Sequence, residues 1–130
     1  MTEGKPNKTP YKNQKEIYNT IISKIKKDYL KNMQQVYLIG SLASGSFGKY
    51  EKRYEGYLGS DIDNVALPKK IRKKWAYEGE FYNWHKRYHI GEIKIRNVIH
   101  PINLMVPLKR NFKDLWLFAK KLNWVVIKLK

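Results

Sequence analysis

Two short stretches carry the residues with the most chemistry in them. Gly40-Ser41 ends the apolar run Gln35-Val36-Tyr37-Leu38-Ile39 and continues as Leu42-Ala43-Ser44-Gly45-Ser46-Phe47-Gly48. Ser60-Asp61-Ile62-Asp63 opens the next apolar run. In a strand, residues two apart project to the same face, so Asp61 and Asp63 stand side by side. Two such carboxylates repel and raise each other's pKa unless a cation sits between them. A hard divalent cation such as Mg²⁺ suits a few carboxylates completed by waters and phosphate oxygens. A Gly-Ser turn offers backbone N–H groups and a hydroxyl to a phosphate, because glycine permits close approach. Other chemistries are poorly represented. There is no cysteine, which excludes disulfides, thiol nucleophiles and Cys zinc sites. His85, His89 and His100 lack metal-ligand spacing, and neither Ser41 nor Ser44 has a histidine in a nucleophile arrangement.

These residues need elements to hold them. Ile17, Ile21, Ile25 and Tyr29 recur every fourth residue, which predicts a helix over Tyr11 to Met33. Gln35 to Ile39 reads as a strand stopped by Gly40, and a short helix follows within Ser41 to Phe47. Gly48 to Ser60 is charged and tyrosine-rich and reads as a loop. Asp61 to Leu67 reads as a strand ended by Pro68. Lys69 to Tyr88 reads as a second long helix, with Ile71, Trp75 and Tyr82 facing inward. His89 to Arg96 alternates with period two and reads as a strand, Asn97 to Pro101 as a connection, and Ile102 to Val106 as another strand. Asn111 is placed to cap a third helix, with Phe112, Leu115, Trp116 and Ala119 on one side. Trp124 to Lys130 reads as a last strand. The four tryptophans are expected in the core. Helices alternating with strands imply a sheet covered by helices.

The Gly-Ser turn and the Ser-Asp-Ile-Asp strand, taken together, resemble the nucleotidyltransferase superfamily of the DNA polymerase β type, and most closely its minimal single-domain prokaryotic members. With its flanking elements the resemblance covers about Tyr11 to Val106. It implies an α+β fold: a nucleotidyltransferase-like mixed β-sheet with helices packed mainly on one face. Gly40, Ser41, Ser44 and Ser60 would bind the nucleotide. Asp61 and Asp63 would hold Mg²⁺ in a two-metal site, and a nucleoside monophosphate would pass from an NTP to an acceptor hydroxyl. The family carries a third carboxylate on a later strand. Here Asn103 stands at that position, and Glu92, one strand earlier, is the alternative. An amide oxygen can ligate a metal but takes no proton at neutral pH. The 19 residues between Ser41 and Asp61 exceed the usual spacing. The segment from Lys49 to Gly59 is either an acceptor-binding loop or a surface insertion. Its tyrosines, Tyr50, Tyr54 and Tyr57, lie among basic residues, a pattern that suits base stacking.

Composition sets the partners. The chain has 130 residues and a net charge of +16, from 27 Lys plus Arg against 11 Asp plus Glu. Such a surface favours polyanions. Lys69, Lys70, Arg72, Lys73 and Lys74 form the densest run. The length fits one domain, read as a basic arm over 1–10 and a single domain over 11–130. No apolar run reaches the ~20 residues that span a bilayer, and the lysine-rich start has no secretory character, so the expectation is a cytoplasmic protein with no membrane partner. The expected partners are an NTP, with RNA, a protein hydroxyl or a small molecule as acceptor. A helical partner protein or a second copy would complete the cleft. Two other classes stay open: a non-catalytic, antitoxin-type partner protein and a basic RNA-binding module.

Overall fold

The computed structural model describes residues 5–130; the first four residues of the expected arm lie outside them. In chain order the elements are β1 (Lys8–Pro10), α1 (Gln14–Asp28), a 3₁₀ turn (Leu30–Asn32), β2 (Met33–Ile39), α2 (Gly40–Ser44), β3 (Gly48–Tyr54), β4 (Tyr57–Gly59), β5 (Ile62–Pro68), β6 (Ala76–Phe81), β7 (His85–Ile95), β8 (Val98–Pro107), α3 (Lys113–Leu122) and β9 (Ile127–Lys128). The fold is mixed α+β. Six strands form one sheet in the order β6-β7-β8-β5-β2-β9, and β1, β3 and β4 form a small second sheet. The large sheet is mixed: β5 and β8 run parallel, and the other neighbours run antiparallel.

The expected isoleucine stripe exists. Ile17, Ile21, Ile22 and Ile25 are buried along α1 and pack on Val36 and Leu38 of β2 and Ile62 and Leu104 of the neighbouring strands. Gln14 ties the start of this helix down. Its amide donates to the carbonyls of Tyr11 and Phe47, both at 2.7 Å, and accepts from the Phe47 N–H at 3.1 Å. The other face of β2 carries Tyr37 and Ile39, which pack with Phe112 and Leu115 beside α3. The two long helices therefore lie on opposite faces of the sheet, which corrects the expectation of helices mainly on one. The physical reason is visible in Val36-Tyr37-Leu38-Ile39: a strand apolar on both faces needs cover on both. The N-cap of α3 is Phe112, which makes no side-chain cap bond, rather than Asn111. Asn111, one residue earlier, accepts the Lys113 N–H at 3.0 Å and steadies the start of the helix from there.

Five segments fold differently from their sequence pattern. Lys69 to Tyr88 is not a helix. It forms an exposed basic loop, then β6, a turn and β7. Tyr82 and Asn83 both have positive φ, 53° and 62°, as the central residues of a type I′ turn do, and the Trp84 N–H closes that turn on the Phe81 carbonyl at 3.2 Å. Gly79, at φ 113°, marks a bulge where the β6–β7 register shifts, and Ile71 is exposed rather than inward. Aromatic side chains at positions that also suit a helix here serve a strand. Gly48 to Ser60 is not a loop but the β3–β4 hairpin, turned by Glu55 and Gly56 at φ 51° and 88°. Lys8–Pro10, read as part of an arm, pairs with this hairpin. The connection expected over Asn97 to Pro101 shrinks to a two-residue turn at Arg96 and Asn97, so β7 and β8 are both longer than their alternating cores. The last strand is only Ile127–Lys128, paired with Tyr37 and Leu38.

The small hairpin is seated on β8 through Gly59. A Cβ at Gly59 would overlap the His100 ring and the Ile99 carbonyl, whereas a Cβ at Gly56 meets nothing. Gly59→Ala should therefore lower stability by about 2 kcal/mol or more. Gly56→Ala should cost only the left-handed backbone strain, about 1–2 kcal/mol. Urea unfolding of the two variants compares them, and a Gly59→Ala protein as stable as wild type would mean the hairpin does not rest there.

Candidate functional site

Gly40 is the pivot of the site. It leaves β2 at φ +80°, and a Cβ built on it would lie 3.2 Å from Oδ2 of Asp63. Asp63 sits mid-sheet, in register with Ile39 on one side and Asn103 on the other. Nδ2 of buried Asn103 donates to Oδ1 of Asp63 at 3.2 Å. Asp61 immediately precedes β5, two residues away. The turn, the two aspartates and Asn103 are thus brought together.

Burial pushes the Asp61 carboxyl up to about 7, and the charges of Asp63 and Glu55 add to the shift, while Lys5 and Arg87 oppose it. Asp63 is also raised, chiefly by burial, against the Asn103 hydrogen bond and the same two cations. A carboxylate pair that resists ionisation when empty is one that a cation relieves. The donor set of two carboxylates with an amide beside them fits a hard divalent cation such as Mg²⁺. Among the described residues no group of three or more His, Cys, Asp or Glu side chains gathers as a metal cluster. Asn103, in the orientation found, offers its N–H groups to Asp63 rather than an oxygen to a metal.

The pair opens into a cavity of about 340 Å³. Lys5, Glu55 and Arg87 line it beside the aspartates, and Tyr54, Phe81, Tyr82, His85 and Trp124 supply an aromatic wall. Glu55 was not singled out in the sequence. It faces the same cavity as the aspartates because the β3–β4 hairpin brings its turn there. Arg87 pairs with Glu78 at 3.0 Å and approaches Glu55 at 3.7 Å, and its guanidinium lies 4.3 Å from the Phe81 ring centre. His85 is buried with no partner at Nδ1. Burial, then the Arg87 charge, lowers its pKa to about 4, which keeps it neutral.

We found no family model, curated protein or solved structure that matches this chain. The geometry of the chain's own residues is what bears on its function.

The remaining candidates divide. Ser41 is half-buried, and its Oγ donates to Ser60 Oγ at 3.4 Å. Ser60 is buried and works as a joint. Its Oγ accepts the Gly48 N–H at 3.0 Å, and its carbonyl meets His100 Nδ1 at 2.8 Å. A carbonyl only accepts, so Nδ1 of His100 carries the proton and Nε2 accepts from the Tyr11 hydroxyl at 2.8 Å. Burial lowers the His100 pKa to about 4, consistent with this neutral, fixed ring. Ser44 is exposed, and its hydroxyl turns back to the Ser41 carbonyl at 3.3 Å. Glu92 is not brought to the aspartates. The Tyr57 hydroxyl donates to its carboxylate, and His89 lies 3.9 Å away. Of the three tyrosines in the hairpin, Tyr54 lines the cavity, Tyr50 is buried, and Tyr57 stacks on His89.

The shifts give opposite pH trends. Asp61 binds its proton more tightly folded than unfolded, so its contribution to stability falls as pH rises from about 4 to about 7. His85 and His100 bind theirs less tightly folded, so their contribution grows as pH rises from about 4 to 6.5. Asp61→Asn isolates the first trend. Without divalent cations, its stability advantage over wild type should grow between pH 5 and pH 8 by roughly 1–3 kcal/mol. Urea midpoints across that range measure it, and a constant difference would contradict a desolvated acid pair.

Proposed function

We propose that the protein is a nucleotidyltransferase that moves a nucleoside monophosphate from an NTP to an acceptor hydroxyl, breaking the bond between the α- and β-phosphates and releasing pyrophosphate, with Mg²⁺ as cofactor. The observation that carries this reading is the contact of Gly40 with Asp63 at the end of β2, with Asp61 two residues before and Asn103 in register beside it. In this reading Asp61 and Asp63 hold Mg²⁺, and the Gly40-Ser41 turn takes the triphosphate. Bound Mg²⁺ supplies charge neutralisation at the transferring phosphoryl group. Lys5 and Arg87, which line the same cavity, offset phosphate charge. Tyr54, on the cavity wall, gives a face on which a base can lie. Ser60 supports the turn through its hydrogen bonds rather than through a nucleotide contact. Asn103 takes no proton, so Glu55 takes the acceptor's proton in its place. The basic surface favours an RNA end as acceptor, and a cytoplasmic setting goes with this chemistry. No helix among the described residues is long and apolar enough to cross a membrane.

A second reading, a nucleotide-binding partner protein without turnover, is favoured by one observation: Asn103 donates to Asp63 where the family resemblance calls for a carboxylate.

Calorimetric titration of ATP, GTP, CTP and UTP, with and without Mg²⁺, tests both. Binding should require Mg²⁺ and weaken at least about tenfold in an Asp61→Asn, Asp63→Asn variant. With α-labelled NTP and a panel of RNA and protein acceptors, label should transfer. Glu55→Gln should slow transfer by about 10²-fold or more, the range for a lost general base, while leaving nucleotide binding in place. Binding without transfer to any acceptor favours the second reading. No Mg²⁺-dependent binding of any nucleotide defeats both.

A further inference from the structure

A second cavity, about 390 Å³, lies against the loop between β5 and β6 and is lined by Asn32, Lys70, Arg72, Lys73 and Lys74. Its lining holds four cations and no carboxylate. The loop is held at several points. The Lys69 N–H donates to the Asn32 carbonyl at 2.7 Å, and the Trp75 N–H to the Arg72 carbonyl at 3.1 Å. The Trp75 ring is buried in the core beneath α1. With the Asn32 amide turned so that its oxygen faces Arg72, it accepts from Nη2 at 2.7 Å and also from Nε. Arg72 is therefore oriented by a neutral group and keeps its charge for a ligand. Among the described residues none of these cations is in an ion pair. The carboxylate that feels Lys74 is Asp28, which is already bonded to Lys24 and also near Lys27.

We propose that this loop is a binding site for the phosphodiester backbone of single-stranded RNA, separate from the aspartate cavity. Asn32 precedes β2 and Gly40 follows it, so the two sites lie at opposite ends of a seven-residue strand, roughly 20 Å apart. An oriented guanidinium suits bidentate phosphate binding. The lysines around it, continued by Lys27 at the end of α1, extend the positive surface beyond what one phosphate needs. Tyr77, exposed on β6 two residues past Trp75, offers a face for an unstacked base. The site needs neither Mg²⁺ nor the aspartates, so it does not depend on the transferase reading.

The test uses fluorescence anisotropy of the full chain with a labelled single-stranded RNA of twelve nucleotides, in EDTA, across a salt series. Lys70→Gln, Lys73→Gln, Lys74→Gln together should weaken binding at least tenfold and lower the salt slope by roughly 2, since each lost phosphate contact on a single strand contributes about 0.7. This variant keeps Arg72 and its Asn32 contact, and circular dichroism confirms its fold. A charge-matched control, Lys113→Gln, Lys120→Gln, Lys121→Gln on α3, should weaken binding less than about threefold. The Asp61→Asn, Asp63→Asn variant should bind RNA like wild type, whatever its behaviour toward nucleotides. Equal losses in loop and control variants would overturn the proposal in favour of diffuse charge. So would unchanged affinity in the loop variant, or loss of RNA binding in the aspartate variant. Displacement of RNA by inorganic phosphate at equal concentration, by polyglutamate, or by anionic vesicles as effectively as by unlabelled RNA would equally overturn it.

Discussion

Asp63 occupies the middle of a sheet, between Ile39 and Asn103, and the chain turns away beside its carboxylate at Gly40, whose φ of +80° favours glycine and where an added Cβ would come to a tight 3.2 Å. That steric condition governs much of what surrounds it. It lets β2 end in a turn against β5 while a charged group stays at the joint. The carboxylate is drawn out of water and set beside a second one, and both resist ionisation. Asn103 lowers the repulsion by donating a hydrogen where a third carboxylate would add charge. Fewer negative charges also mean weaker hold on a divalent cation. The site is thus less electronegative than the family resemblance implies, and Lys5 and Arg87 reduce its charge further.

The second constraint is the joint at Ser60 and His100. Ser60 links the hairpin to the strand that carries the aspartates, and His100, fixed between Ser60 and Tyr11, links both to β8 and to the start of the chain. Phe47 covers the same ring, with centroids 4.3 Å apart. A neutral imidazole can donate at one nitrogen and accept at the other, which neither His⁺ nor an apolar residue can do. Through this joint the hairpin turn, and with it Glu55, is held over the cavity.

Charge is divided along the large sheet. One end gathers Asp61, Asp63 and Glu55 with two cations that partly offset them. The other end gathers the β5–β6 loop, with four cations and no lining carboxylate. The two ends of the strand thus differ in charge, which a uniformly lysine-coated surface would not give.

Local pattern made several elements readable. The isoleucine stripe of α1, the apolar run of β2 stopped by Gly40, and the placing of Asp63 on β5 all follow from local pattern, because each is decided by neighbours in the chain. Placing Asn103 beside Asp63 was legible through the resemblance, and the parallel register agrees with it. The reading failed where long-range pairing outweighs local spacing. Lys69 to Tyr88 has helix-spaced aromatics, yet the β7–β8 ladder recruits its second half as strands. Lys49, Glu51, Lys52 and Arg53 mask an alternation in which Gly48 and Tyr50 turn inward. The sequence by itself determined which residues carry charge, which turns need glycine, and that Asp61 and Asp63 share a face. Only the tertiary structure decided that Glu55 joins them, that Glu92 does not, and that the basic loop stands at the opposite end of the sheet. Those three outcomes depend on how distant strands pair, and no spacing along the chain encodes the pairing.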